Sequence, residues 1–91
     1  MIRTADIFKA LADETRLKIL SLLLKKGELC VCRFEETLGI SQSKASRHLR
    51  YLLHSGLVQE RRDRVWVHYR IHDDPGKDQE RVLRFLKSLL R

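Results

Sequence analysis

The sequence predicts a mainly α, α+β fold, a winged helix-turn-helix, on three observations. First, residues 41–56 read as a helix built to face a polyanion. Ser41 supplies an N-cap, because its hydroxyl can accept from a free N–H of the first turn, and Gly56 closes the helix. Ala45, Leu49, Leu52 and Leu53 recur at three- and four-residue steps as an apolar stripe, while Gln42, Ser43, Ser46, Arg47 and Arg50 face away from it. Second, a short helix over residues 32–38, a Gly39 stop and the link Ile40-Ser41 stand directly before it, at helix-turn-helix spacing. Third, residues 58–61 and 65–71 are β-prone runs around Arg62-Asp63-Arg64. Val65, Val67, Tyr69 and Ile71 alternate onto one face, the pattern of a hairpin with a basic tip.

The remaining elements follow in chain order. Residues 5–12 form a short helix with Ile7, Phe8 and Leu11 on one side. Asp13 N-caps a second helix over residues 14–26, whose core stripe is Leu17, Leu20, Leu23 and Leu24. Lys25 and Lys26 suit the negative end of its dipole, and Gly27 ends it. Residues 28–31 are short for a strand but can add a third strand to the hairpin. Phe34 and Leu38 point inward from the next helix. Asp73-Asp74-Pro75-Gly76 then breaks the chain before a last helix over residues 77–90. Its apolar face, with Val82, Leu86 and Leu89 on one flank and Leu83, Phe85 and Leu90 widening it, is broader than a 91-residue monomer needs to cover. Ile7, Phe8, Leu11, Val82, Phe85, Leu86 and Leu89 are therefore assigned to a homodimer interface; packing of the last helix on its own core is the alternative.

Ninety-one residues make one domain, residues 1–91, near the lower limit for a single comfortable core. The longest apolar run, Leu22-Leu23-Leu24, is interrupted by Lys25-Lys26, and the N-terminus lacks the apolar stretch of a signal peptide. A cytoplasmic protein without membrane contact is expected. The net charge is +7, of which residues 41–72 carry +5. That concentration on the helix and hairpin is the footprint of a nucleic-acid binder. Gln42, Ser43 and Ser46 are candidates for base readout; Lys44, Arg47, Arg50, Arg62 and Arg64 are candidates for phosphate or, at the wing, the minor groove. His48 either touches DNA or packs against the wing. A two-fold dimer would set two recognition helices in successive major grooves about 34 Å apart, so the expected partner is double-stranded operator DNA with an inverted repeat. An enzyme is not expected: the chain has no Gly-rich phosphate loop, no nucleophile with a base nearby, and no paired carboxylates in an apolar setting. A winged-helix module for protein contact stays open, although it needs neither base-reading side chains nor a basic wing.

Cys30 and Cys32 are too close in sequence for an unstrained disulfide, and none is expected in a reducing compartment. On an extended backbone residues i and i+2 point the same way, so two thiolates there can chelate one soft ion. A helix starting at Cys32 would lower the thiol pKa through its dipole, with Arg33 adding to the effect. The alternative is that both are small buried hydrophobes. His54, His68 and His72 lack the spacing of a metal cage and are unassigned.

Three strings, Phe8-Lys9-Ala10-Leu11-Ala12-Asp13-Glu14-Thr15-Arg16-Leu17-Lys18-Ile19-Leu20, Glu28-Leu29-Cys30-Val31-Cys32 and Ile40-Ser41-Gln42-Ser43-Lys44-Ala45-Ser46-Arg47-His48-Leu49, together resemble the ArsR/SmtB family of metal-sensing winged-helix repressors. The second string is similar to the arsenite-sensing branch, whose members are dimers. The resemblance implies a repressor that leaves its operator when arsenite or antimonite, as inducer, binds Cys30 and Cys32, with no catalytic cofactor. Two positions depart from that branch: Glu35 stands where a third cysteine is frequent, and Arg33 where Asp is common. A hard carboxylate suits trivalent arsenic poorly, so hydroxide, solvent or a cysteine of the partner chain would complete the pyramid. The Asp and His metal site of zinc-sensing relatives is absent, since residues 77–91 contain no His. Response to thiol oxidation, or to cadmium, lead or bismuth, remains an alternative.

Overall fold

Side-chain caps and left-handed residues set the helix boundaries. In the computed structural model, which describes residues 2–90, the order is α1 (Thr4–Leu11), α2 (Glu14–Lys26), β1 (Leu29–Cys30), α3 (Val31–Leu38), α4 (Gln42–Ser55), β2 (Val58–Asp63), β3 (Trp66–Ile71) and α5 (Lys77–Leu89). The Asp13 carboxylate accepts from the Arg16 N–H at 3.0 Å and the Ser41 hydroxyl from the Lys44 N–H at 3.2 Å, starting α2 and α4. Gly39 and Gly56 end α3 and α4 at φ +64° and +80°, a conformation a side chain would strain. This is the winged helix-turn-helix that the sequence predicts.

The sheet is antiparallel, in the order β1-β3-β2. β1 pairs Leu29 with Tyr69 and Cys30 with His68, so residues 28–31 do supply a third strand, although Val31 already opens α3. The wing register differs from expectation. Arg62 pairs with Val67 and Asp63 with Trp66, which leaves the two-residue turn Arg64-Val65 as the tip. Arg64 occupies it with φ +61°, at a position that glycine ordinarily takes in such a hairpin.

The core runs through every layer: Ile7 and Ala10 of α1, Ile19, Leu20 and Leu23 of α2, Phe34 of α3, Ala45, Leu49 and Leu52 of α4, Tyr69 of the wing, and Leu83 and Leu86 of α5. α2 packs against α1, α3, α4, α5 and β3. It is therefore buried on a wider and rotated face, with Ile19 fully inside and Leu17 and Leu24 only half-buried. The interface expectation is corrected at two positions. Ile7 and Leu86 are 1% and 2% exposed and belong to the protomer's own core. Phe8, Phe85 and Leu89 are 60%, 63% and 62% exposed, while Leu11 and Val82 are half-buried. Each terminal helix thus has one face on the core and an apolar face outside. Among the described residues, no helix is long and apolar enough to cross a membrane.

Candidate nucleic-acid interface and thiol site

α4 presents Gln42, Ser43, Lys44, Arg47 and Arg50 to solvent, most of them in its N-terminal half; Ser46 is half-buried. On the wing, Arg61 is clamped by Glu28 through hydrogen bonds of 3.1 and 2.9 Å, and Arg70 by Asp73 at 2.6 Å. Glu28 accordingly titrates below its ordinary range, the Arg61 hydrogen bond being the main cause. Arg62 is 4.0 Å from Glu60 with its side chain 73% exposed. Among the described residues, Lys44, Arg47, Arg50 and Arg64 take part in none of the ion pairs. Four uncommitted cations on α4 and the wing tip can meet phosphate without first breaking an internal pair.

His48 corrects an expectation. It is 7% exposed and faces the start of α2, not the outside of α4 and not the wing. Its Nδ1 lies 3.1 Å from the Arg16 guanidinium and 3.8 Å from Asp13 Oδ2. Guanidinium only donates, so Nδ1 accepts and the ring proton resides on Nε2. Burial is the main cause holding the imidazole pKa below its ordinary value; Asp13 opposes it, while Arg16, Arg47 and Lys44 reinforce it. His48 is thus a neutral bracket between the recognition helix and α2.

Arg16 is the residue that sequence reasoning missed. Its Nε donates to Ala10 O at 2.7 Å and its terminal nitrogen to Lys9 O at 2.9 Å, satisfying carbonyls at the C-terminal end of α1. The guanidinium also lies 4.1 Å over the Tyr51 ring of α4. One side chain therefore joins α1, α2 and α4. The available signal was its place in the first turn of α2, where the helix dipole disfavours a cation.

Cys30 is the N-cap of α3, and its Sγ accepts from the Cys32 N–H at 3.2 Å. The extended cap (φ −80°, ψ 158°) followed by helical residues brings the two Cα atoms to 5.4 Å, and the sulfurs are joined. That corrects the expectation of no bridge: the strand-to-helix junction folds the pair into disulfide range. Both cysteines are half-buried. They open onto a cavity of about 280 Å³, lined further by Val31 and Glu35 of α3, Gln42 at the start of α4, and Val65, Trp66 and Val67 of the wing. Among the described residues, no three His, Cys, Asp or Glu side chains gather where they could hold a metal ion.

A family model described as "Bacterial regulatory protein, arsR family" matches residues 13–60. The "Arsenical resistance operon repressor" of Escherichia coli K12 is 55% identical over 66 residues, 72% of this chain and 56% of that protein. "Arsenic resistance transcriptional regulator ArsR1" of Pseudomonas putida KT2440 is 46% identical over 68 residues, 75% of this chain and 53% of that protein. The chain spans about half the length of these two relatives. Among solved structures, the homodimeric winged helix-turn-helix DNA-binding domain Mb0332 from Mycobacterium bovis, described as a possible ArsR-family regulator, superposes with a TM-score of 0.77. It is 35% identical, over 93% of this chain and 75% of that one. With the winged helix-turn-helix topology and a family match over residues 13–60, this chain belongs to the ArsR family of bacterial regulatory proteins.

Proposed function

We propose that the protein is a DNA-binding transcriptional repressor, active as a homodimer on an inverted-repeat operator, that releases the DNA when arsenite or antimonite binds the reduced thiolates of Cys30 and Cys32. The observation that carries this reading is the place of the pair. Cys30 Sγ caps the first helix of the helix-turn-helix, and Cys32 lies in its first turn. Seating both reduced sulfurs on one ion competes with the cap hydrogen bond and shifts the start of α3, whose far end carries the turn that mounts α4. A hundredfold loss of operator affinity corresponds to about 2.7 kcal/mol of coupling, and operator must weaken arsenite binding by the same factor. In this reading Gln42, Ser43 and Ser46 select bases, while Lys44, Arg47, Arg50, Arg62 and Arg64 hold the backbone. His48 acts through its packing. Phe8, Leu11, Val82, Phe85 and Leu89 form the dimer contact.

The test uses operator selected from random duplexes, with binding followed by fluorescence anisotropy. Arsenite should release the reduced wild type and fail to release Cys30→Ser and Cys32→Ser. Retained release in both variants would remove the thiol sensor from the account. The joined sulfurs favour a second reading, release on thiol oxidation; a mild disulfide-forming oxidant without arsenite would then suffice. Cadmium, lead and bismuth titrated in the same assay would rank the soft-metal alternatives.

A further inference from the structure

We propose that the wing tip drives an apolar wedge into DNA: Val65 enters the minor groove and pries open a pyrimidine–purine base step, with Trp66 pressed on the sugar edges beside it. The proposal rests on the DNA-binding reading and deepens it, since it gives Val65 a choice of sequence that no hydrogen-bonding side chain makes. Val65 is 86% exposed and Trp66 54%, neighbours at the end of the hairpin. Apolar residues scattered singly over a surface are ordinary. Here a valine and an indole stand together, and the residues before them, Arg62, Asp63 and Arg64, are all charged and exposed. An uncovered apolar group at the point of a basic projection marks a contact with something outside the protomer.

Turn chemistry points the same way. A two-residue hairpin turn favours glycine, asparagine or aspartate, yet Arg64 holds φ +61° and β-branched Val65 follows it. Neither residue suits the turn, and Val65 adds nothing to the core. The pair does have the composition of a minor-groove wedge, an apolar group flanked by cations that can hold the phosphates on either wall. Charge alone leaves the tip a weak clamp: Arg62, Asp63 and Arg64 carry a net +1, and Arg61 is already held by Glu28. Apolar contact supplies what charge does not. Wedges of this kind unstack a base step and kink the duplex by about 20–90° toward the major groove. Pyrimidine–purine steps yield most readily, so the cost of deformation becomes a sequence preference at a position where no donor or acceptor reads a base. Two-fold symmetry sets one such step in each half-site.

The test uses the full chain with its thiols reduced and no metalloid present. Duplexes are selected from a random pool by the wild type, Val65→Ser and Val65→Ile; at 86% exposure neither change disturbs the core. The wild type and Val65→Ile should enrich the same pyrimidine–purine step in each half-site. Val65→Ser should lose that preference and keep the rest of the operator. On the wild-type operator Val65→Ser should bind about tenfold more weakly with an unchanged salt slope, since no phosphate contact is lost. 2-Aminopurine placed at the step should brighten when the wild type binds and stay dim with Val65→Ser. Trp66, the only tryptophan, should become shielded from acrylamide in the complex. Selection of the same step by Val65→Ser at an affinity within twofold of wild type, or a loss spread evenly over all sequences, would overturn the wedge and leave the repressor reading in place. So would a Trp66 as open to acrylamide in the complex as in the free protein, the result expected if the tip meets another protein instead. A wild type that enriches no sequence would overturn the repressor reading, and the wedge with it.

Discussion

Replacing Arg16 by alanine should cost the fold about 3 kcal/mol, although the residue contributes nothing to the apolar core. The guanidinium makes two hydrogen bonds to the end of α1, at 2.7 and 2.9 Å, and one to His48 at 3.1 Å. Hydrogen bonds to charged groups contribute about 1.5–3 kcal/mol each when well buried, and partial exposure brings these down to about 1 kcal/mol. Lys9 O keeps a second partner in the Ala12 N–H, so its share is smaller still. The stacking on Tyr51 adds about 0.5–1 kcal/mol at such a site. Losing the guanidinium also strands a buried imidazole nitrogen. For a domain of this size each kcal/mol moves Tm by about 4–8 °C, so the variant should melt roughly 12–24 °C lower. Protein concentration must be held fixed, because the proposed dimerisation would shift apparent stability. Arg16→Lys should recover less than half, since one ammonium cannot reach α1 and His48 in the fork geometry. A shift in Arg16→Ala under about 5 °C, or a lysine variant equal to wild type, would refute the three-helix bracket.

Four further outcomes can be measured. Because burial depresses the His48 pKa, the unfolded chain binds the extra proton first: stability should be full above about pH 6.5 and decline as pH falls through the folded value, and His48→Asn should flatten that segment of the urea-midpoint profile. Asp13, held below the ordinary carboxylate range chiefly by the Arg16 N–H, acts in a separate window at lower pH, so an unchanged profile in His48→Asn would reject the assignment. Arg64→Gly should raise stability by about 1 kcal/mol by relieving the left-handed arginine, yet weaken DNA binding and lower the salt slope by about one; stability unchanged with affinity intact would contradict both parts. Cys30→Ser should hold thermal stability within about 0.5 kcal/mol of reduced wild type, since serine is a good N-cap, while losing the metalloid response; a large loss of stability would show that the sulfur does more than cap. Phe85→Glu should convert the dimer to monomer in sedimentation at micromolar concentration, and an unaffected dimer would place the interface elsewhere.

Caps and periodicity were legible because they are local. Asp13, Ser41, Gly39 and Gly56 do what their chemistry suggests within one turn of chain. His48 was also legible, by spacing: Ala45, His48, Leu49 and Leu52 stand at i, i+3, i+4 and i+7, and all four are buried. Reading it by residue type offered DNA or the wing as its partner, and neither is what it packs against. The choice between Ile7 and Phe8 was not local. Both flank the same stripe of α1, and only the docking of α1 on α2 and α4 decides that isoleucine enters and phenylalanine stays out. The wing tip escaped for a related reason. Arg62-Asp63-Arg64-Val65 contains no glycine or asparagine to mark the turn, so the register comes from the pairing of Asp63 with Trp66 and not from turn chemistry.

The thiol site shows where a one-dimensional reading stops. The spacing of Cys30 and Cys32 is one that a chelating pair can use, but nothing along the chain says what surrounds it, because the wing lies more than thirty residues away. The sheet order supplies the answer: β3 stands between β1 and β2, so the strand that bears the wing tip is hydrogen-bonded to the strand that bears Cys30. Cys30 is thereby the last residue of β1 and the cap of α3 at once. A change at its sulfur has two routes outward, through the β1–β3 pairing to the wing and through α3 to the turn before α4. Substitutions can separate them, because Trp66 lies only on the first route and Gly39 only on the second. If Gly39→Ala, which strains the turn, altered arsenite-induced release while leaving arsenite affinity unchanged, the signal would run through α3; if only Trp66 variants did so, it would run through the wing.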